Sequence, residues 1–158
     1  RWPGGRWAML LAASTLVAPL GGSMGAARQA MAQSVPASTY RAAAEWLGTH
    51  SPPGSMVFQT DWDDFPRLFF YNQHNRYLVG LDPTFMQAAN PALYDEWVAL
   101  TQGQGENFAK AIQNDFGATY ILSDHQHRDF LRRAAHDPQM REVYRDDDAV
   151  IFAIQALP

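Results

Sequence analysis

Three carboxylates lie within four residues of the stretch DWDDFPRLFFYNQHNRY, residues 61–77. Asp61, Asp63 and Asp64 follow a short apolar run, Met56 to Thr60, that is typical of a buried strand. Open α/β sheets bind their ligands at the carboxyl ends of such strands. The position of these aspartates, with Trp62 between them, therefore makes the stretch a candidate ligand or interaction site.

The Asp-x-Asp pattern also occurs in metal-dependent nucleotide-sugar transferases, where paired carboxylates hold a divalent ion on a diphosphate. No glycine-rich phosphate loop accompanies the pattern in this chain. Calcium takes six to eight oxygen ligands, which one short loop rarely supplies. We therefore predict neither a metal site nor a cofactor.

A structural role for the same aspartates competes with the ligand site. Asp63 or Asp64 precedes a short predicted helix and is placed to cap it. Asp61 has Arg67 and Arg76 nearby in the sequence as ion-pair partners. We favour this interpretation over a ligand site.

Aromatic residues crowd the same stretch, and they are too many for one face of a short helix. Core packing accounts for part of them, and an exposed remainder would form an interaction surface. The interaction candidates among them are Trp62, Phe69, Phe70 and Tyr71, together with the neighbouring His74.

Catalytic sets of residues are not evident in the sequence. The chain contains no cysteine and no G-x-S-x-G motif. His74 would take part in proton transfer only if it faced Asp61 or Asp63. His125 and His127 would both bind a metal only from an extended segment, and we predict the start of a helix there. We therefore assign no catalytic residue and lean towards a protein that is not an enzyme.

Composition places the chain among folded proteins that do not bind nucleic acid. Hydrophobic residues make up 47% of its 158 residues, the formal net charge is −4 and the sequence pI is about 5.6. A nucleic-acid-binding domain would carry a basic surface.

The first 27 residues predict a membrane anchor. Residues 7–27 contain no charged side chain, lie between Arg6 and Arg28, and have about the length of a membrane-spanning helix. Arg1 and Arg6 predict a cytoplasmic start, which places the rest of the chain outside the cytoplasm. The anchor residues that would face lipid are Trp7, Leu10, Leu11, Leu16, Val17 and Leu20.

A cleaved signal peptide is the alternative interpretation of the same segment. The small residues at Ala30 and Ala32 resemble a cleavage site before Gln33. The chain begins with Arg rather than Met, so we expect further sequence before Arg1.

Helices and strands are predicted to alternate after a linker at residues 28–38. This order predicts an α/β domain over residues 39–158, a small three-layer sandwich with a mostly parallel sheet and a C-terminal antiparallel hairpin. One transmembrane helix would precede it. The predicted strands are Met56 to Thr60, Arg76 to Gly80, Ala118 to Ser123 and two around Asp146 to Asp148; the predicted helices follow Thr39 and Asp124 or cover 64–72, 91–101 and 106–116.

Several segments together resemble a known kind of domain. They are AAEWL at 43–47, VFQTDWDDFPRLFFYNQHNRYLVGLDPTF at 57–85, FGATYILSD at 116–124 and VYRDDDAVIFAI at 143–154. They look like the extracytoplasmic C-terminal domain of bacterial GT-C-type membrane glycosyltransferases and related multi-spanning proteins. In those enzymes the catalytic acid lies among the membrane helices, so the resemblance implies no catalytic residue here.

The sequence thus predicts a single-pass membrane protein whose periplasmic domain acts non-catalytically. Its expected role is that of an accessory or assembly subunit of a larger transport, envelope, respiratory or photosynthetic complex. Its expected partners are the other subunits and, through residues 7–27, the lipid bilayer. The alternatives are a C-terminal fragment of a lipid-linked-sugar glycosyltransferase and a cleaved periplasmic ligand-binding domain.

Overall fold

The computed structural model describes residues 23–32 and 34–155, and the chain divides after Pro36 into two units. In the first unit, residues 23–32 form one helix, α1. Within the described ranges no helix has both the length and the apolar character needed to span a bilayer. The predicted anchor residues Trp7, Leu10, Leu11, Leu16, Val17 and Leu20 lie outside the described part of the chain.

The second unit consists of strands and helices in alternation, as predicted. The strands are β1 (Met56–Gln59), β2 (Arg76–Tyr77), β3 (Ala118–Ser123), β4 (Met140–Arg145) and β5 (Val150–Ile154). The helices are α2 (Arg41–His50), α3 (Phe65–Tyr71), α4 (Thr84–Ala89), α5 (Pro91–Thr101), α6 (Phe108–Asn114) and α7 (Arg128–His136).

Local chemistry explains where several of these elements begin and end. Pro66 lies in the first turn of α3, where its missing N–H costs little. Helix α5 begins at Pro91, and the Asn90 side chain caps it by accepting a hydrogen bond from Leu93 N at 3.2 Å. Gly117 has a φ of +65° just beyond α6, a conformation that glycine adopts without strain.

The sheet has five strands in the order β2-β1-β3-β5-β4. Strand β1 pairs in parallel with both β2 and β3, whereas β5 is antiparallel to both β3 and β4. The α/β class and the C-terminal hairpin are confirmed. The sheet is mixed rather than mostly parallel, because the second strand of the hairpin, and not the first, joins the parallel strands.

Alternating side chains of the central strands form two cores, one on each face of the sheet. Val57 and Leu122 belong to a core that includes Leu47 of α2 and Leu68 of α3. Their sequence neighbours Phe58 and Ile121 lie in the other core, which the helices α5, α6 and α7 cover. This second core is the larger one and includes Trp97, Leu100, Phe108, Ile112, Phe130 and Phe152.

The edge strand β2 is shorter than the predicted strand, Arg76 to Gly80. Leu78 N donates both to the Val57 carbonyl oxygen at 3.1 Å and to the buried Gln59 Oε1 at 3.0 Å. Beyond Leu78 the Gln59 side chain takes the place of a neighbouring backbone, since its Nε2 donates to the Val79 carbonyl oxygen. The amide side chain thus satisfies backbone groups that a longer strand would have paired.

Helix α4 is not predicted from the sequence, because the stretch from Leu81 to Asn90 is rich in turn-forming residues. Asp82 Oδ1 accepts a hydrogen bond from Thr84 N at 2.9 Å, which turns the chain directly into the helix. A local aspartate turn therefore starts a helix where the composition indicates only a loop.

Replacing Gln59 by Leu tests this buried amide. The substitution leaves the Val79 carbonyl oxygen without its donor and removes an acceptor from Leu78 N, so we expect a loss of about 2–4 kcal/mol in the free energy of unfolding. Chemical denaturation measures the loss. Gln87→Leu, at an exposed position of α4, is the matched control and should change stability by less than about 0.5 kcal/mol. Equal stability of the two variants would show that Gln59 has no such role.

Candidate functional site

The carboxyl ends of β1 and β3 define the candidate site. These two parallel strands are neighbours in the sheet. From β1 the chain passes to β2, which lies on the side of β1 away from β3, and it then returns to form β3 on the other side. Ligands of open α/β sheets bind where neighbouring parallel strands send their connections in opposite directions, and we call this edge of the sheet the crevice. The residues that follow the two strands are 60–64 and 124–127.

Asp124 and His127 form the best-defined pair in this crevice. His127 Nδ1 lies 2.6 Å from Asp124 Oδ1, which also accepts from the backbone N–H groups of Gln126 and His127. The hydrogen bond with Asp124 raises the pKa of His127. Burial raises the pKa of Asp124, but the hydrogen bonds and the charge of His127 outweigh it, so that its pKa is lowered. The pair therefore favours an imidazolium next to a carboxylate.

Asp64 is a buried carboxyl group with an unsatisfied oxygen. Only 4% of the residue is exposed, and Oδ2 has no hydrogen-bond partner among the described residues. Burial, together with the charges of Asp61, Asp63 and Asp124, raises the pKa of Asp64 to about 7, although the Tyr40 hydroxyl opposes this shift. Asp64 therefore exchanges its proton near neutral pH.

Tyr40 covers this carboxyl group from the start of α2. It has a φ of 65°, an unusual backbone conformation for a tyrosine, and 7% of it is exposed. Burial and the nearby carboxyl group of Asp64 raise the pKa of Tyr40, so the phenol stays protonated. The Tyr40 backbone N–H donates to Asp148 Oδ2 at 3.3 Å, which connects the hairpin turn to the crevice.

The other two predicted aspartates lie nearer the surface. Asp61 is partly buried and Asp63 is exposed. Burial and the charge of Asp63 raise the pKa of Asp61, while His127 opposes this shift. The crevice thus brings the sequence-predicted aspartates together with Asp124 and His127, which lie about sixty positions further along the chain.

The arrangement contains no activated nucleophile among these residues. Ser123 is fully buried, and its hydroxyl donates to the Asp124 carbonyl oxygen at 3.0 Å and accepts from Thr60 Oγ1 at 3.1 Å. A hydroxyl committed to two such bonds is a structural link between β1 and β3. The crevice can bind charge and exchange protons, but these groups do not compose a nucleophile with its base.

The predicted structural role of the aspartates is wrong in two respects. Asp64 occupies the position before α3, but its side chain makes no capping hydrogen bond. The ion pairs of the described residues are Asp124 with His127, Asp129 with Arg132 and Glu142 with Arg145, so Asp61 is not paired with Arg67 or Arg76. Asp64 is instead buried close to other carboxylates, and Asp61 has neither of the expected arginine partners.

His74 lies away from the aspartates. It precedes β2, which runs parallel to β1, so it lies at the amino edge of the sheet, whereas the aspartates follow the carboxyl end of β1. Its Nε2 bonds with the Ser51 carbonyl oxygen at 2.9 Å, within a loop network that includes Asn72 and Asn75. His74 therefore stabilises a loop and does not face Asp61 or Asp63.

The four aromatic candidates separate into two groups. Tyr71 is a structural residue: its hydroxyl donates to the Ala37 carbonyl oxygen at 2.9 Å and accepts from Arg41 at 3.1 Å. Trp62, Phe69 and Phe70 are exposed by 41%, 44% and 75%.

Sequence reasoning missed Tyr40, and it regarded Asp124 and His127 as parts of a helix start. The only sequence signal for their role is that Asp124 also follows a strong predicted strand. This signal has meaning only because that strand is the neighbour of β1. Which strands are neighbours is seen only in the folded sheet.

No three histidine, aspartate or glutamate side chains of residues 23–32 and 34–155 are grouped so that they could hold a metal ion. Comparisons with protein-family models, curated proteins and solved structures find no match for this chain. The crevice must therefore be interpreted from its own geometry.

Asp64→Asn tests the buried carboxyl group. In the unfolded chain Asp64 has an ordinary pKa of 3.8, whereas in the folded domain its pKa is about 7. The folded state therefore loses stability as the pH rises from about 4 to about 7, and the whole penalty is present above that range. We expect the variant to be more stable than the wild type at pH 8, by on the order of 2–4 kcal/mol, and equally stable at pH 4. Denaturation curves across this range would refute the assignment if both proteins showed the same pH dependence.

Asp124→Asn tests the histidine pair. The asparagine keeps an oxygen for the two backbone N–H groups but removes the negative charge, so the pKa of His127 should fall. NMR titration of the imidazole protons measures this change. At any one pH, the ring signals of His136, at the other end of α7, are the internal control and should be the same in both proteins. An unchanged His127 titration would mean that the pair is not formed in solution.

Proposed function

We propose that this chain is a non-catalytic accessory or assembly subunit of a larger membrane protein complex, anchored in a bacterial inner membrane with its α/β unit in the periplasm. Its α/β unit would bind a membrane-protein partner that presents apolar side chains together with basic ones.

The distribution of exposed apolar side chains is the observation that carries this proposal. Among the described residues of the second unit, every large hydrophobic side chain that is exposed lies between positions 62 and 85. Scattered single exposures would be ordinary, but a concentration in one segment is typical of an interaction surface. We call these five residues the apolar surface: Trp62, Phe69, Phe70, Leu81 and Phe85.

Phe65 connects parts of this surface. Its ring stacks on Phe69 at 5.4 Å and meets Tyr77 of β2 edge-on at 5.9 Å. A Cβ atom at Gly80, which precedes Leu81, would lie 3.9 Å from the Phe65 ring. Phe65 and Phe69 therefore lie beside β2, the strand at the edge of the sheet, where a partner has access.

Charge supports a partner with basic side chains. Asp61 and Asp63 flank Trp62 in the sequence, and no lysine or arginine of residues 23–32 and 34–155 forms an ion pair with them. Partner surfaces are generally complementary in charge, which favours lysine or arginine opposite these carboxylates.

A membrane location for the partner is supported by the N-terminal sequence. Residues 7–27 carry no charge and have the length of a membrane-spanning segment, with Arg1 and Arg6 before them. A chain anchored in this way meets other membrane proteins at high local concentration.

Phe70→Ser and Phe85→Ser test the proposed contact. Both side chains are 75% exposed, so the domain should stay folded, while binding should weaken by about 2 kcal/mol, or roughly 30-fold in Kd, if either residue is central to the interface. Photo-crosslinking from positions 70 and 85 of the full chain in its native membrane identifies the partner. The affinity of each variant for that purified partner then measures the effect.

Met31→Ser is the matched control, since Met31 is 74% exposed but belongs to the first unit. Crosslinks to one membrane protein that weaken with both phenylalanine variants, and not with Met31→Ser, would support the proposal. Crosslinks only to lipid, or only to a second copy of this chain, would contradict it.

A further inference from the structure

A hollow of about 430 Å³ lies beside the last turn of α2, on the sheet face that this helix covers. Its floor is a row of direct neighbours, since Ala153 of β5 pairs with Tyr120 of β3 on one side and with Arg141 of β4 on the other. Directly paired residues of antiparallel strands point to the same face of the sheet. The small Ala153 between two long side chains therefore leaves space, and Trp46 and His50 of α2 form the wall beside it.

The aromatic wall of the hollow is held in place by contacts within the chain. The rings of Trp46 and His50 stack in parallel, with their centroids 4.4 Å apart. His50 Nδ1 donates to the Trp46 carbonyl oxygen at 2.9 Å, and the Tyr120 hydroxyl donates to the His50 carbonyl oxygen at 3.2 Å. Trp46 and Tyr120 are half-buried and His50 is exposed, so aromatic surface borders the hollow. A ligand that packs there meets side chains that are already ordered, which lowers the cost of binding.

Arg141 gives the hollow a positive charge that the described part of the chain does not neutralise. Among residues 23–32 and 34–155, the guanidinium group of Arg141 has neither an ion pair nor a hydrogen bond. Glu142 also borders the hollow, but Arg145 binds its two carboxylate oxygens at 2.8 and 2.6 Å. The hollow therefore combines aromatic surface with one unpaired guanidinium group.

We propose that this hollow binds a small aromatic carboxylate, whose ring packs against Trp46 and His50 while Arg141 holds the carboxylate group. An arginine side chain binds a carboxylate through two parallel N–H groups, which fixes the orientation of the bound molecule. Aromatic rings in contact stabilise a complex beyond the effect of buried area alone. Small-molecule sites have volumes in the same range as the hollow and place a few polar groups among apolar and aromatic ones. A cationic ligand fits less well, because it would lie next to the guanidinium group.

This inference goes beyond the proposed docking function and uses none of the residues of the apolar surface. Phe70→Ser and Phe85→Ser should therefore leave binding at the hollow unchanged, and Arg141→Gln should leave the crosslinks to the membrane partner unchanged. Each proposal can then fail without the other.

A titration of the isotope-labelled full chain with sodium phenylacetate at pH 7 tests the proposal. The NMR signal of the Trp46 indole N–H reports on the wall of the hollow. We expect a saturable shift of this signal with a Kd of about 5 mM or lower. Phenylacetamide has the same shape without the charge, and it should bind more weakly by about tenfold or more.

Arg141→Gln removes the charge at an exposed position, so the domain should stay folded. It should weaken binding of phenylacetate by about tenfold or more and leave that of phenylacetamide unchanged. Arg128→Gln is the matched control, since Arg128 is exposed at the start of α7, which packs on the other face of the sheet. This control should bind both compounds as the wild type does.

Ala153→Leu tests the space itself, because the larger side chain would fill the floor of the hollow and should abolish binding of both compounds. Ala135→Leu, at an exposed position of α7, is its control and should bind them normally. Unchanged backbone amide spectra show that each variant is folded. If Ala153→Leu does not fold, the pair of arginine variants still decides the question.

A parallel titration with N-acetyl-phenylalanine distinguishes the source of the carboxylate. Binding tighter than that of phenylacetate by about tenfold or more indicates the C-terminal residue of a peptide, and equal or weaker binding indicates a free acid. The proposal is overturned if phenylacetate does not bind saturably, if phenylacetamide binds as tightly, or if Arg141→Gln and Arg128→Gln bind phenylacetate alike.

Discussion

The pairing of β1 with β3 organises the whole α/β unit. Both strands lie inside the sheet and carry apolar side chains on both faces, with Val57 and Leu122 on one side and Phe58 and Ile121 on the other. Each face must be covered, so α2 and α3 pack on one and α5, α6 and α7 on the other. At the carboxyl end of this pairing, the hydroxyl of Thr60, which follows β1, donates a buried hydrogen bond to the hydroxyl of Ser123, the last residue of β3.

The same pairing creates the crevice and determines its charge. Because β1 and β3 are parallel neighbours, the polar residues that follow them meet at one edge, and the antiparallel β5 brings the aspartate-rich turn there as well. The domain places its acidic groups where apolar packing ends. Asp64 is the exception, since it lies under Tyr40 and is buried as deeply as many core residues. A buried carboxyl group without an arginine partner avoids the cost of burying charge by keeping its proton.

Elements with strong local signals were predicted well. Helix α5 has its proline and its asparagine cap, β3 has a central apolar run, and the hairpin has its aspartate turn, so each was found at or near its observed bounds. Prediction failed where distant residues decide the outcome. The edge strand β2 ends early, and beyond it the side chain of Gln59, from β1, bonds with the Val79 carbonyl oxygen in place of a backbone group. The arginines expected as partners of Asp61 are near it in sequence, but neither forms an ion pair with it.

Local patterns of sequence were enough to predict the α/β class and most of the helices and strands, because periodicity, caps and turns depend on near neighbours. They also identified residues 61–77 as a candidate site. Which residues lie at the crevice was decided by the tertiary structure alone. His74 is close to the aspartates in sequence but lies at the opposite edge, whereas Asp124 and His127 are distant in sequence and lie beside them. The reason is strand order: which strands become neighbours, and in which direction they run, depends on long-range packing that no local pattern encodes.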